Sequence, residues 1–301
     1  MDRDLLPHLP IVLAVAKRGG FAAAAAELNT SPSNVSHAIR VVEKRLGMPL
    51  FSRTTRSVSL TEAGAAFVQS ASGAIQEINA AWESLQSQRT GAAGLLRINT
   101  PRIALPWFLR RVLRRMNADY PDVTVEFFFD DGLSDVVAQG FDAGIRLGHM
   151  IAEDMIAIPL AASFRAIIVA SPEYLSERGT PTHISDLQEH NCIQYRMTSA
   201  GNIYRWEVRD KNHDIQIETK GRVVVNDMLI ALDLARTDCG LCYTFEPLAA
   251  TDIESGALIE VLARNAFKQP GVSCYYPRRA ANSPKLRAFI DTARTVFAAT
   301  R

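Results

Sequence analysis

From residue 61 to about 89 the chain runs without a proline, and Val68, Ala71, Ile75, Ile78, Trp82 and Leu85 recur there three and four residues apart. A seam that narrow belongs to a helix that pairs with another helix, because a helix lying on a globular core shows a broader apolar stripe. At a rise of about 1.5 Å per residue the segment forms a rod roughly 43 Å long. Thr61 suits its N-cap. A core helix with this spacing is the competing reading; the strictness of the seam, with few apolar residues off it, favours pairing. "RTGAAGLL", residues 89–96, then punctuates the chain with two glycines and reads as a hinge. The rod therefore divides the sequence into about sixty residues before it and about two hundred after it, and the two parts have different patterns.

Before the rod the pattern is helical. Leu5, Leu9, Val12, Leu13 and Ala16 make one amphipathic helix. The apolar run here is no targeting signal, since Asp2 and Asp4 accompany Arg3 and Lys17-Arg18 follow. "GGFAAAAAELN" ends that helix at the glycine pair and starts another of little bulk, which lets helices approach closely. After a short turn at Asn29-Thr30 comes "SPSNVSHAIRVVEKRLG", with Ser31 at the N-cap, Pro32 at the first helical position and Gly47 at the stop. Val35, Ile39, Val42 and Leu46 face a core, and Ser33, Ser36, His37, Arg40 and Lys44 face away. Helix, tight turn, helix is the layout whose second member enters the DNA major groove; a surface helix of an ordinary bundle would also be polar on one side. The next segment favours DNA. "PLFSRTTRSVSLTEAG" holds two short strand-like runs, 50–53 and 57–60, around a Thr-Thr-Arg turn. Arg53 and Arg56 near the tip of such a ribbon suit a phosphate backbone. Between residues 31 and 60 five basic residues stand against Glu43 alone, although the formal net charge of the whole chain is only +1.

After the hinge strands alternate with helices. "LLRINT", "VTVEFFF", "AGIRL", "FRAIIVAS" and "LCYTF" read as strands, as do segments near 156–160, 192–195 and 222–225. Residues 105–118, 134–139, "PEYL", "NDMLIALDLARTDCG" and a last segment from about 283 read as helices. The alternation predicts a parallel or mostly parallel sheet with helices on both faces, and the length suits two lobes with a cleft between them. Ligands bind outside the carboxyl ends of strands in open α/β sheets. Those ends offer Thr100, Pro101 and Arg102, then Asp130 and Asp131, Arg146 and Gly148, Asn226 and Asp227, and Thr244, Phe245 and Glu246. Arg102 and Arg146 could clamp a carboxylate, or either could pair with a neighbouring Asp and fix a loop. A small organic acid is the expected ligand.

Other classes find little support. No G-x-S-x-G, G-x-G-x-x-G, P-loop or H-E-x-x-H is present, so no enzyme is indicated. The six histidines show no metal-ligand spacing, and neither a metal nor another cofactor is expected. Cys239 and Cys242 form a C-x-x-C that straddles a helix end and enters a strand, whereas a redox pair sits at a helix start; small buried hydrophobes are the simpler reading, with a thiol-responsive regulator as the alternative. No stretch is apolar enough to span a bilayer, and four cysteines in 301 residues make no disulfide scaffold, so a cytoplasmic protein without a membrane partner is expected. A stand-alone solute-binding protein has no use for a winged helix, and a DNA-bending protein leaves two hundred residues idle. A ligand-responsive regulator uses both halves.

Residues 1–64 resemble the DNA-binding domain of LysR-type transcriptional regulators, through "GGFAAAAAEL", "SPSNVSHAIRVVEKRLGMPLFSRTTR" and "VSLTEAG". The remainder resembles, more loosely, that family's two-lobed effector domain, which is built like periplasmic solute-binding proteins, through "FDAGIRLG", "ASPEYL" and "GLCYTFEP". The resemblance implies a winged helix-turn-helix over 1–60, a linker helix over 61–90 that dimerises antiparallel to its mate, and an α/β effector domain over 91–301. Lobe I would take 91–162 and 268–301, and lobe II 163–267. It also implies that Pro32, Ser33, Ser36, His37 and Arg40 face DNA with Arg53 and Arg56 in the wing, that the homodimer reads a near-palindromic operator and forms tetramers, and that RNA polymerase is a further partner to consider. Two departures matter. The family often has Arg where His37 stands, and a Ser or Thr pair where Gly20 and Ala22 stand. The first alters the preferred base, since Arg pairs bidentately with guanine and His cannot.

Overall fold

The computed structural model describes residues 5–53, 58–132, 139–147 and 155–298, for residues 53, 76–77, 79–81 and 83–90 the backbone alone. Two compact units divide the chain, one reaching to Trp82 and the other starting at Glu83.

The first unit packs three helices, α1 (Leu9–Arg18), α2 (Phe21–Glu27) and α3 (Pro32–Leu46), around Val12, Val15, Ala24, Val35, Ile39 and Val42. Gly19 and Gly47 close α1 and α3 in the left-handed conformation that glycine adopts without a Cβ penalty. Ala24 and Ala25 are buried, which is why α2 carries so little bulk. A two-stranded ribbon follows, β1 (Phe51–Arg53) and β2 (Val58–Leu60), paired antiparallel with Phe51 opposite Leu60. Glu43, the one acid of the basic stretch, ties this ribbon to α3, its carboxylate accepting from the Leu50 and Phe51 amides at 2.9 and 3.1 Å.

The long helix α4 (Glu62–Thr90) starts at the same junction. Thr61 donates to the Pro49 carbonyl and accepts from the Gly64 amide at 2.8 and 2.9 Å. A Cβ on Gly64 would lie 1.9 Å from the Leu50 carbonyl oxygen, which is backbone and cannot swing aside. Gly64→Ala is therefore expected to destabilise this unit by about 1–3 kcal/mol, through overpacking, as read by thermal melting.

Part of the seam on α4 is used within its own unit. Val68 packs on the core of the three-helix unit and Ala71 is buried, so these two do not await another chain. Ile78 and Trp82, further along, are 62% and 65% exposed. Ile75 is half-buried, and Leu85 lies among the residues whose side chains are outside the description.

The second unit holds two sheets. The first orders its strands β4-β3-β5-β15-β6, where β3 is Gly94–Thr100, β4 Val123–Phe129, β5 Ala143–Leu147, β6 Met155–Pro159 and β15 Val272–Pro277. The second orders them β11-β8-β12-β7-β13 with β14 also on β7; β7 is Phe164–Ala170, β8 Cys192–Tyr195, β11 Val224–Val225, β12 Leu241–Phe245, β13 Ile259–Val261 and β14 Phe267–Gln269. A hairpin of β9 (Trp206–Asp210) and β10 (His213–Ile217) stands apart. The helices are α5 (Arg110–Asp119, entered through a π turn at Leu105–Leu109), α6 (Pro172–Arg178), α7 (Met228–Arg236), α8 (Glu246–Ser255) and α9 (Pro284–Ala298). The helix expected over 134–139 falls almost wholly outside the described residues.

Both sheets are mixed, which corrects the mostly parallel expectation. Strands β3, β4 and β5 run parallel, as do β8, β11 and β12, but β15 runs against β5 and β6, and β7 against β12, β13 and β14. The cause is the double crossing between lobes. The chain enters lobe II at β7 and returns at β15, and each crossing strand starts beside the carboxyl end of a parallel one: Val272 pairs with Leu147, and Ala166 with Phe245. A strand that begins where its neighbour ends must run the other way. No described helix is long and apolar enough to cross a membrane.

Candidate functional site

The outward face of α3 is set by its ends. Ser31 caps it, its hydroxyl accepting from the Asn34 amide at 3.2 Å, and Pro32 fills the first position. Pro32, Ser33, His37 and Arg40 are exposed and Ser36 is half-buried, while Val35, Ala38, Ile39 and Val42 are buried on the opposite side. The Arg40 guanidinium donates to the Ser36 carbonyl at 3.3 Å, which steadies its stem and leaves other donors facing outward. Two short hydroxyls near the helix start, an imidazole and a guanidinium can donate to base edges and phosphates. Arg53 belongs to β1 by its backbone, and Arg56 lies outside the described residues.

In the second unit a cavity of about 220 Å³ opens between the lobes at the carboxyl ends of β5, β8 and β12. Its walls are apolar and aromatic, with Ile103, Trp206, Met228, Tyr243 and Phe245 prominent. The rings hold one another: Trp206 stacks on Tyr243 with centroids 5.6 Å apart, and Phe245 packs edge-on to Phe164 at 5.0 Å.

Arg146 is the cation of this cavity, and it is only 3% exposed. Its guanidinium donates to the Gly132 carbonyl at 2.8 Å, to the Ile145 carbonyl at 2.7 Å and to the Asn99 side-chain oxygen. Those acceptors are all neutral. Its Nε–H is buried without a partner, and among the described residues no carboxylate forms an ion pair with it. Burial accordingly pulls the guanidinium's pKa below its usual value, with Tyr275, Asp130 and Asp131 opposing this. An inward-facing positive charge held by neutral groups alone is an unsatisfied site for an anion.

The other expected ligand residues fall into distinct places. Pro101 and Phe245 line the cavity with Arg146. Thr100 is fully buried and its hydroxyl has no partner. Arg102 is not a free clamp. Its amide and guanidinium both donate to Asp131, at 2.9 and 2.8 Å, and its Nε lies 3.6 Å from Asp227. It thus joins the lobes, and the hydrogen bond to Asp131 raises its pKa. Asp227 itself caps α7 by accepting from the Leu229 amide at 2.8 Å, and Asn226 is not a wall of the cavity. Cys242 is buried and burial pushes its thiol up to about 12, so it is protonated at neutral pH; Cys239 is half-buried, packs against the same apolar cluster as Cys242, and its sulfur lies beside Thr237. No group of three or more His, Cys, Asp or Glu among the described residues could hold a metal ion.

The pocket wall that sequence reasoning missed is the β9–β10 hairpin, which brings Trp206 and Glu207 to the cavity. Its signal was present. Trp206 and Val208, then Ile215 and Ile217, alternate with polar residues around a two-residue loop in which Lys211 takes a positive φ.

Comparison with known proteins agrees with both halves. Residues 6–65 match the model of the bacterial regulatory helix-turn-helix proteins of the lysR family, and residues 89–298 match the LysR substrate binding domain. The chain is 36% identical over 282 residues to the uncharacterized HTH-type transcriptional regulator YcaN of Escherichia coli, covering 94% of this chain and 92% of that one. It is 33% identical over 291 residues to the HTH-type transcriptional regulator PgrR of the same organism, covering 97% of each. Among solved structures it is similar to CrgA, a LysR-type transcriptional regulator from Neisseria meningitidis, with 27% identity, a TM-score of 0.62 and coverage of 96% of this chain and 98% of that one. A winged reading helix followed by a two-lobed ligand domain defines a one-component transcriptional regulator. This chain belongs to the LysR family of such regulators.

Proposed function

We propose that this regulator binds a near-palindromic DNA operator as a homodimer in the cytoplasm and changes its DNA contacts when a small organic anion fills the cavity between its lobes. Arg146 carries the reading of the ligand, because a buried guanidinium without an ion-pair partner among the described residues favours a carboxylate over any neutral molecule. The exposed Ile78 and Trp82 on α4 support pairing of two linker helices, and two-fold pairing presents two reading helices to two half-sites. Pro32, Ser33, Ser36, His37 and Arg40 contact the groove, with Arg53 and Arg56 of the wing on the backbone. Assembly into tetramers and contact with RNA polymerase belong to the same reading. The ligand can act only if it binds two lobe arrangements with different affinity. The Arg102 bridge between Asp131 and Asp227 is a contact that such a rearrangement would alter.

Arg40→Ala tests the reading face. It is expected to lower operator affinity by about 1–3 kcal/mol, measured by electrophoretic mobility shift at fixed salt, with the dimer fraction in sedimentation unchanged. Unaltered affinity would remove Arg40 from the DNA face.

A further inference from the structure

The cavity has a second polar pole. Glu207, on β9, faces it, and the carboxylate is held in place by two donors on one oxygen: the Tyr204 hydroxyl at 2.5 Å and the Gln269 amide at 3.1 Å. Tyr243 donates to the Glu207 backbone carbonyl at 2.9 Å and so fixes the strand that carries it. The second carboxylate oxygen has no hydrogen bond among the described residues, and Glu207 makes no ion pair there with Arg146 or any other cation. One wall thus supplies an unsatisfied cation, from lobe I, and another supplies an acceptor, from lobe II. The other walls are mostly aromatic and apolar, with Asp131, whose charge is taken up by Arg102, and Gln269 as the further polar side chains.

Size narrows the occupant. A cavity of about 150 Å³ holds a benzene ring, and this one measures about 220 Å³. One ring with a carboxylate and one further small substituent matches that size. Flat aromatic walls such as the Trp206–Tyr243 stack favour a flat ring over a flexible chain, through offset or edge-on contacts.

Resting on the reading of this cavity as an anion site, we infer that its ligand is a single-ring organic acid carrying a hydrogen-bond donor, a hydroxyl or an amino group, away from the carboxylate. Arg146 takes the carboxylate and the free oxygen of Glu207 takes the donor. Glu207 is then the residue that sets specificity, since an acid lacking the donor leaves that half-buried acceptor covered but unpaired. An acid carrying a second carboxylate at that end is rejected by like-charge repulsion.

The test is calorimetric titration of the full-length protein with benzoate, its 2-, 3- and 4-hydroxy and 3- and 4-amino derivatives, phthalate and terephthalate, and phenol. At least one donor-bearing acid is expected to bind about tenfold or more tighter than benzoate, as a hydrogen bond to a charged acceptor allows, while the diacids and phenol bind poorly. Glu207→Gln should abolish that preference without weakening benzoate, since it removes the acceptor and a like charge together. Tyr204→Phe removes one of the two donors to the other Glu207 oxygen, leaves the Gln269 amide in place and should keep the preference, which guards against a variant that merely fails to fold. A purely structural role for Glu207 would instead lower the melting temperature and weaken all acids alike. If the acids bind through Arg146 with no preference for a donor, or with a preference that survives Glu207→Gln, the inference is overturned and the anion site stands. If no acid binds and Arg146→Ala changes nothing, the anion site falls and the inference with it.

Discussion

Replacing Arg146 by alanine is expected to weaken binding of the acids that fit the interlobe cavity by about a hundredfold or more. The magnitude follows from where the charge sits. Removing one member of a buried, hydrogen-bonded charge pair costs about 2–5 kcal/mol, far beyond the cost at an exposed pair. Arg146 is 3% exposed and fixed by the carbonyls of Gly132 and Ile145, so its fork is preorganised before any ligand arrives. Arg146→Lys keeps the charge and loses the planar pair of donors, so it should recover only part of the affinity. Titration calorimetry reads both variants. Thermal melting supplies the control, because ligand raises the melting temperature of the wild type by mass action and should leave that of Arg146→Ala unchanged.

The second large effect is expected on assembly. Ile78 and Trp82 lie on one seam of α4 and are more than half exposed in the single chain. Large apolar side chains left in water on a long helix mark a partner surface, and buried Trp anchors of such surfaces typically cost about 2–4 kcal/mol when truncated. Ile78→Ala with Trp82→Ala should therefore raise the dimer dissociation constant by roughly two orders of magnitude or more, measured by sedimentation equilibrium. Operator affinity should fall with it, since each reading helix then binds alone. Val68→Ala should behave differently. Val68 packs on the core of its own unit, so its loss lowers thermal stability and leaves pairing largely intact.

The reading helix was legible because its signals are local. Ser31, Pro32 and Gly47 punctuate α3, and Val35, Ile39 and Val42 show which side is buried. The strands of the second unit were legible for the same reason. Their directions were not, because the antiparallel course of β7 and β15 comes from the chain crossing twice between lobes, a long-range fact that no local pattern carries. Glu43 looked like the lone acid of a basic stretch, and its work as the tie between α3 and the wing appears only when residues seven and eight positions apart meet in space. Gly64 is a similar case, forced by the Leu50 carbonyl beside it. Of the two candidate arginines, sequence position alone could not separate them. Asp131 neutralises Arg102, whereas Arg146 is held by neutral acceptors and by no carboxylate among the described residues. The hairpin bearing Glu207 had a readable alternation and turn, but its place at the cavity depends on tertiary packing.

The most direct test of this account is a footprinting titration of the purified full-length protein on the DNA immediately upstream of its own gene, at several stated salt concentrations and with the Arg40→Ala variant alongside. Two protected half-sites are predicted, related by an approximate two-fold and spaced by about one helical turn or a multiple of it, persisting at salt that strips the variant. Weak, sequence-blind protection that salt erases equally from both proteins would contradict it.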